Sequence, residues 1–252
     1  MLRRSQIESY ARTFTNGNAG QAETLYLQDL VLSTISRETA DQLVFKGGTA
    51  LLKFYQLDRF SEDLDFTARV SIDDDALVRA VSRDLEAYGA SPEETDIERE
   101  NRSVQIRLGI QGPLYTGDRR SLNFLRLEIN TESSIRSVDI KRYNPHFQDI
   151  PAFELSVLSE REILAEKIRA LLTRDQPRDL YDIYHLLSKS VSIDPDVVGR
   201  KLEYYDRQYD PSAVLEAATE LEIRWETLSP LVYSTLPEFT TVIDLLGEEL
   251  RV

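Results

Sequence analysis

Two aspartates separated by one apolar residue, Asp63-Leu64-Asp65, followed by Phe66, hold the clearest chemistry in this 252-residue chain. In a strand, residues i and i+2 point the same way, so Asp63 and Asp65 are expected to share one face while Leu64 and Phe66 turn to the core. Two carboxylates at one point repel each other unless a cation sits between them, and hard oxygen donors of this kind suit Mg²⁺, or Mn²⁺ in its place. Upstream stands Gly47-Gly48, with fourteen residues between Gly48 and Asp63. The two glycines allow positive φ and close approach of the backbone to a ligand. A helix expected from Thr49 to Tyr55 would then begin with free N–H groups, which attract phosphate.

The elements that must position these residues are legible in part. Residues 1 to 20 are polar and end in the turn-like NGNAG, giving a short helix and a loop. Leu27, Leu30, Val31 and Ile35 follow helical spacing, so residues 21 to 42 read as one long helix that feeds a strand, Leu43-Val44-Phe45, into the glycine turn. After Phe66 a helix is expected over residues 71 to 89, with Asp73, Asp74 and Asp75 as caps and dipole partners at its start. Residues 91 to 102, SPEETDIERENR, read as a charged loop. Val104, Ile106, Leu108 and Ile110 then alternate with more polar or smaller residues as in a half-buried strand. In a second strand, FLRLEIN, Leu125, Leu127 and Ile129 share one face and leave Arg126, Glu128 and Asn130 on the other.

From residue 156 the pattern becomes helical. Ser159 and Glu162 form a capping box opening the helix REILAEKIRALLTR, and Pro177 separates it from a second helix, RDLYDIYHLL. Asp194-Pro195 and Asp210-Pro211 mark two later helix starts, and Trp225 reads as core. Tyr204, Tyr205 and Tyr209 near Arg207 read as packing aromatics before they read as a base-stacking platform.

A Gly-Gly turn followed by Asp-x-Asp resembles the signature of polymerase-β-like nucleotidyltransferases, and GGTAL…RFSEDLDF is similar to the AbiEii/AbiGii branch of type IV toxin–antitoxin toxins and MenT tRNA nucleotidyltransferases. A second block, AEKIRALLTRDQPRDLYDIYHLL, resembles the same branch. The resemblance implies an α+β fold: a nucleotidyltransferase domain with a small mixed sheet over residues 1–155, then an all-helical lobe over 156–252, with the nucleotide in a cleft between them. It implies an NTP substrate, a third metal carboxylate for which Glu128 is offered, a functional Lys167, and a functional acid at either Asp179 or Asp182. Arg59 and Arg178 are possible phosphate contacts, and Gly47, Gly48, Thr49 and Ser61 fall in the nucleotide-binding part. Ser61 matches a serine that serves in the family as a phosphorylation target, and it would share the aspartates' face if the strand began by Phe60. By pattern alone Lys167 reads instead as a lysine whose stem covers apolar surface, and the two aspartates as ordinary helix acids. The implied acceptor is the 3′ end of tRNA, with a separately encoded antitoxin as partner; a protein or small-molecule acceptor, or nucleotide binding without catalysis, would need no RNA.

Composition narrows the rest. There are no cysteines and only two histidines, His146 and His185, which removes thiolate chemistry and leaves little for imidazole. A net charge of −14 excludes a globally basic nucleic-acid binder, so any RNA contact must use a local patch. Without a long apolar run or the apolar core of a signal peptide, the expectation is a cytoplasmic protein with no membrane partner.

Overall fold

The computed structural model describes residues 1–131, 135–203 and 205–251. Tyr204, one of the three tyrosines singled out above, lies outside them. The chain divides into two compact units: one built on Met1–Phe54 and the sheet that runs through to Val157, the other on the chain from Leu158 onward, to which Tyr55–Arg59 also belongs.

The first unit opens with α1 (Arg4–Phe14) and α2 (Ala19–Thr39), the latter capped by Asn18, whose side chain accepts from the Gln21 N–H. Next come β1 (Leu43–Lys46), α3 (Gly47–Phe54), β2 (Leu64–Ala68) and α4 (Asp74–Ala87). The strands β3 (Ser91–Arg99), β4 (Ser103–Gln111), β5 (Asn123–Asn130), β6 (Val138–Tyr143) and β7 (Phe153–Leu158) complete one sheet of order β3-β4-β5-β2-β1-β7-β6. It is mixed: β2 runs parallel to β5 and β1 to β7, while β1–β2, β3–β4 and β4–β5 are antiparallel. Leu64 and Phe66 of β2, Leu125, Leu127 and Ile129 of β5, and Ile106 and Leu108 of β4 are buried on one face. Burying each such side chain contributes about 1.5–3 kcal/mol, which fixes register, because a one-residue slip would turn every one of them to the other side.

The sheet is larger than the sequence suggests. The charged stretch expected as a loop is instead the edge strand β3, paired along β4 with a bulge at Pro92/Glu94. An outer strand needs no apolar alternation, and acids and a proline on it discourage further pairing. β7 also runs to Leu158, three residues into the stretch read as helical, because from Leu155 on it is buried on both faces and so shows no alternation. Asp73 does cap α4, accepting from the Ala76 N–H at 2.8 Å.

The second unit is helical: α5 (Glu160–Thr173), α6 (Pro177–Ser188), α7 (Pro195–Glu203), α8 (Pro211–Thr219), a 3-10 turn over Glu222–Leu228, and α9 (Phe239–Leu250). Trp225 is buried and donates to the Pro237 carbonyl. Only half of the expected capping box forms. Ser159 accepts from the Glu162 N–H, but the Glu162 carboxylate is held by Lys201 at 2.8 Å, and the Ser159 N–H donates to the Ser137 carbonyl. Among the described residues no helix is long and apolar enough to cross a membrane.

Candidate active site

The first group of site residues lies in the first unit, on the sheet face opposite its core. Asp65 is in β2 and stands in register with Glu128 of the parallel neighbour β5 and with Lys46 of β1. Residues in register on adjacent strands project from the same face. Asp63 precedes the strand, since β2 begins at Leu64, and Ser61 is therefore not on a strand face with the aspartates as expected. A side-chain network holds this lead-in instead. Gln28 of α2, fully buried, donates to the Ser61 and Glu62 carbonyls at 3.0 and 2.8 Å. Thr49 of α3, also fully buried, donates to the Asp63 carbonyl at 2.6 Å and lies 2.9 Å from the Ser61 hydroxyl. The Thr49 side chain thus acts by positioning Ser61 and Asp63.

Of the two glycines only Gly47 takes positive φ, at 75°; Gly48 continues as the second residue of α3. Gly47 is required twice over, because a Cβ there would also fall inside the Asp65 carboxylate. Gly47→Ala is expected to push that carboxylate off its position and to impose a left-handed backbone on an L-residue, at about 1–2 kcal/mol. The thermal midpoint should fall by a few degrees and turnover by far more than that loss of folded protein explains, as paired melting curves and initial rates would show.

Asp65 and Glu128 present hard oxygen donors on one face, with no Cβ beneath Asp65 and with Asp63 just before the strand, and carboxylates of this kind fit a divalent cation. Their oxygens do not draw together as a trio: among the described residues the one group of three carboxylates with oxygens within 4.8 Å of each other is Asp73, Asp74 and Asp75. Those three are spoken for. Asp73 is the α4 cap, and Arg99 binds Asp74 and Asp75 at 2.7 and 2.8 Å.

Beside Asp63 the sheet face opens into a concavity of about 590 Å³ whose lining includes Arg107, Arg120, Asn123 and Arg126. These arginines were not singled out in the sequence, nor were Gln28 and Lys46. Arg126 was placed on the same strand face as Glu128, which was the available signal.

The second group lies in the second unit and forms a buried chain of alternating charge. Arg59 donates twice to Asp182, Nε and Nη2 each at 2.7 Å. Lys167 of α5 bonds Asp182 at 2.7 Å and Asp179 at 3.0 Å, and Arg174 donates twice to Asp179 at 2.8 and 2.9 Å. The spacing i, i+3 places both aspartates on one side of α6, and both bond Lys167. Lys167 is buried, with its ammonium away from the solvent that a surface lysine would reach. Burial alone would lower its pKa, but Asp182 and Asp179 outweigh that and raise it, so it is a fixed cation. Burial also opposes ionisation of both aspartates, yet Lys167 and Arg174 pull Asp179 below the usual carboxylate range, and Arg59 and Lys167 do the same for Asp182. Arg59 is committed to Asp182, whereas Arg178 is exposed. His185 Nε2 lies 2.9 Å from the Tyr55 carbonyl.

The seven-stranded mixed sheet sets a glycine turn against an Asp-Glu rung. A profile of the AbiEii nucleotidyl transferase toxins of type IV toxin–antitoxin systems matches residues 31–244, and the chain belongs to that family. It is therefore a nucleotidyltransferase, and its membership implies an NTP substrate and an antitoxin. Among solved structures it is similar to MenT4, a nucleotidyltransferase toxin from Mycobacterium tuberculosis H37Rv, at 21% identity and a TM-score of 0.69, over 99% of this chain and 89% of that one. JHP933 from Helicobacter pylori matches at 19% identity and a TM-score of 0.60, over 90% and 88%. A comparison with curated protein sequences finds no match.

Proposed function

We propose that this chain transfers a nucleotide from an NTP to RNA, with the 3′ end of tRNA as acceptor, and that Asp63, Asp65 and Glu128 hold the Mg²⁺ or Mn²⁺ the reaction uses. The observation that carries the reading is the register of Asp65 with Glu128 beside a glycine turn that has no room for a side chain. The acceptor hydroxyl oxygen bonds to the α-phosphorus as the bond to the bridging oxygen breaks, pyrophosphate leaves, and the hydroxyl proton passes to a site carboxylate or to water. A bound divalent cation neutralises the phosphates and stabilises the attacking and leaving oxygens. Gly47 and the first N–H groups of α3 receive phosphate oxygens, and Gln28 and Thr49 keep the Ser61–Asp63 segment in place.

Lys167 supplies fixed positive charge. Its bonds to Asp179 and Asp182 hold it inside the helical unit, and of that unit's cations we assign a phosphate contact to exposed Arg178. Asp179 and Asp182 are positioning residues for Lys167. The reading also takes the protein to act in the cytoplasm under a separately encoded antitoxin.

The test incubates purified protein with Mg²⁺ and each α-labelled NTP in turn, in the presence of total tRNA or of a protein extract freed of RNA. Label on RNA at its 3′ end is expected. Label on protein or on a small molecule, with none on RNA, would sink the acceptor assignment while leaving the enzyme class intact.

A further inference from the structure

On the face that carries Asp65 and Glu128, the next pair along the sheet is of opposite sign. Arg126, two residues before Glu128 on β5, stands in register with Arg107 of β4. Like charges directly opposite each other on neighbouring strands repel, so a bare Arg–Arg rung costs stability unless an anion answers it. Among the described residues no carboxylate pairs with it directly: Glu94 of β3, held first by Arg119, feels the Arg107 charge only as a weaker attraction. Neither Arg126 nor Arg107 has an ion pair among the described residues, although Asp96 lies next along the rung on β3. Arg107 is held with its guanidinium 4.4 Å from the Phe124 ring centroid. Arg120 reaches the same concavity and is also without an ion pair there, while its neighbour Arg119 is spent on Glu94 at 2.5 and 2.9 Å. The carboxylate of Glu23 in the lining is taken by the Leu114 N–H and Asn123. Arg107, Arg120 and Arg126 share this concavity with Glu62 and Asp63, in a chain of net charge −14.

We infer that Arg107, Arg120 and Arg126 form the docking site for the phosphodiester backbone of the acceptor strand. The inference rests on the nucleotidyl-transfer reading above and adds to it where the acceptor sits. Phosphate oxyanions are the shared chemistry of an incoming triphosphate and of a nucleic-acid backbone, and the sheet order separates the two. β2 lies between β1 and β5, so the Gly47 turn and the start of α3 flank Asp65 on one side and the arginine rung lies on the other. Phosphoryl transfer places attacking and leaving oxygens roughly in line across phosphorus. If pyrophosphate leaves toward the glycine turn, the attacking hydroxyl enters from the β5 and β4 side, where the arginines are. In a chain of net charge −14 this arginine cluster is a local patch through which RNA can be bound.

The test pairs two equilibrium measurements on wild type and on Arg107→Gln/Arg126→Gln: binding of fluorescent total tRNA without NTP, across a salt series, and binding of labelled NTP with Mg²⁺ but without RNA. The expected result is a loss of tRNA affinity of ~10-fold or more at low salt. The slope of log K against log salt should become shallower by about 1.4–1.8, since each of the two phosphate contacts removed contributes roughly 0.7–0.9. NTP binding should be unchanged, and the melting midpoint equal or higher as the repelling rung is relieved. Weakened NTP binding with intact tRNA binding would assign the arginines to the triphosphate, and unchanged binding of both would remove the site; either overturns the inference. A wild-type protein that labels RNA while the variant keeps full tRNA affinity refutes this site alone, whereas a wild type that labels only protein refutes the acceptor reading itself.

Discussion

Asp63→Asn is expected to lower nucleotidyl transfer by ~10²–10³-fold while the protein folds as before. The substitution keeps size and shape and removes one negative charge from a donor set whose task is to hold a cation. Loss of about 3–4 kcal/mol of transition-state stabilisation, the scale of a single misplaced electrostatic contact in such sites, corresponds to that factor. Folding should be unaffected because the Asp63 side chain has no hydrogen bond or ion pair among the described residues; the segment is held through backbone carbonyls by Thr49 and Gln28. Removing a carboxylate from the neighbourhood of Asp65 and Glu128 relieves repulsion as well. Turnover and melting measured on the same preparation decide the matter. Wild-type rates in Mg²⁺ would exclude Asp63 from the metal set, and a collapse of the melting midpoint would make it a structural residue.

What could be read from the sequence was what local periodicity records. Leu64 and Phe66 announce a strand face, so Asp65 was placed correctly, and Leu125, Leu127 and Ile129 did the same for Glu128. That the two carboxylates stand in register was not legible, because register between β2 and β5 is set by packing across more than sixty residues of intervening chain. The edge strand β3 was missed for the opposite reason: its exposed, acidic composition is what protects an edge, and it erases the strand signal. Gln28 sits in a helix whose polar residues Glu23, Gln28 and Asp29 are buried along with its apolar ones, so no stripe distinguishes them. Lys167 shows the limit most clearly. Helical spacing put it at the edge of an apolar stripe, and nothing local revealed that Arg59, over a hundred residues away, would help to surround it with charge.

That network sets the second large effect. Asp182→Ala is expected to destabilise the helical unit by about 3–5 kcal/mol, because it removes the two hydrogen bonds of buried Arg59 to Asp182 and one of the two carboxylates that hold buried Lys167. Lys167→Ala should destabilise as well, against the expectation for a lysine whose head lies in water, since it strips Asp179 and Asp182 of a shared cation. Arg174→Ala removes only the half-exposed end of the chain and should cost about 1 kcal/mol or less. The pH dependence follows from the direction of each shift. Asp179 and Asp182 have folded pKa values below their unfolded ones, so their contribution is complete above about pH 4 and is lost as pH falls through the depressed values. Lys167 is shifted upward, so its contribution is complete below about pH 10 and is lost as pH rises through the raised value. Urea unfolding of wild type should therefore show a stability plateau between those limits with an acid limb below pH 4. In Asp182→Ala the plateau should drop and the acid limb should flatten, because one of the two carboxylates that titrate there is gone. An Asp182→Ala protein with wild-type stability across this range would show that the charges are solvated in solution, and the positioning role assigned to Asp182 would fall with it.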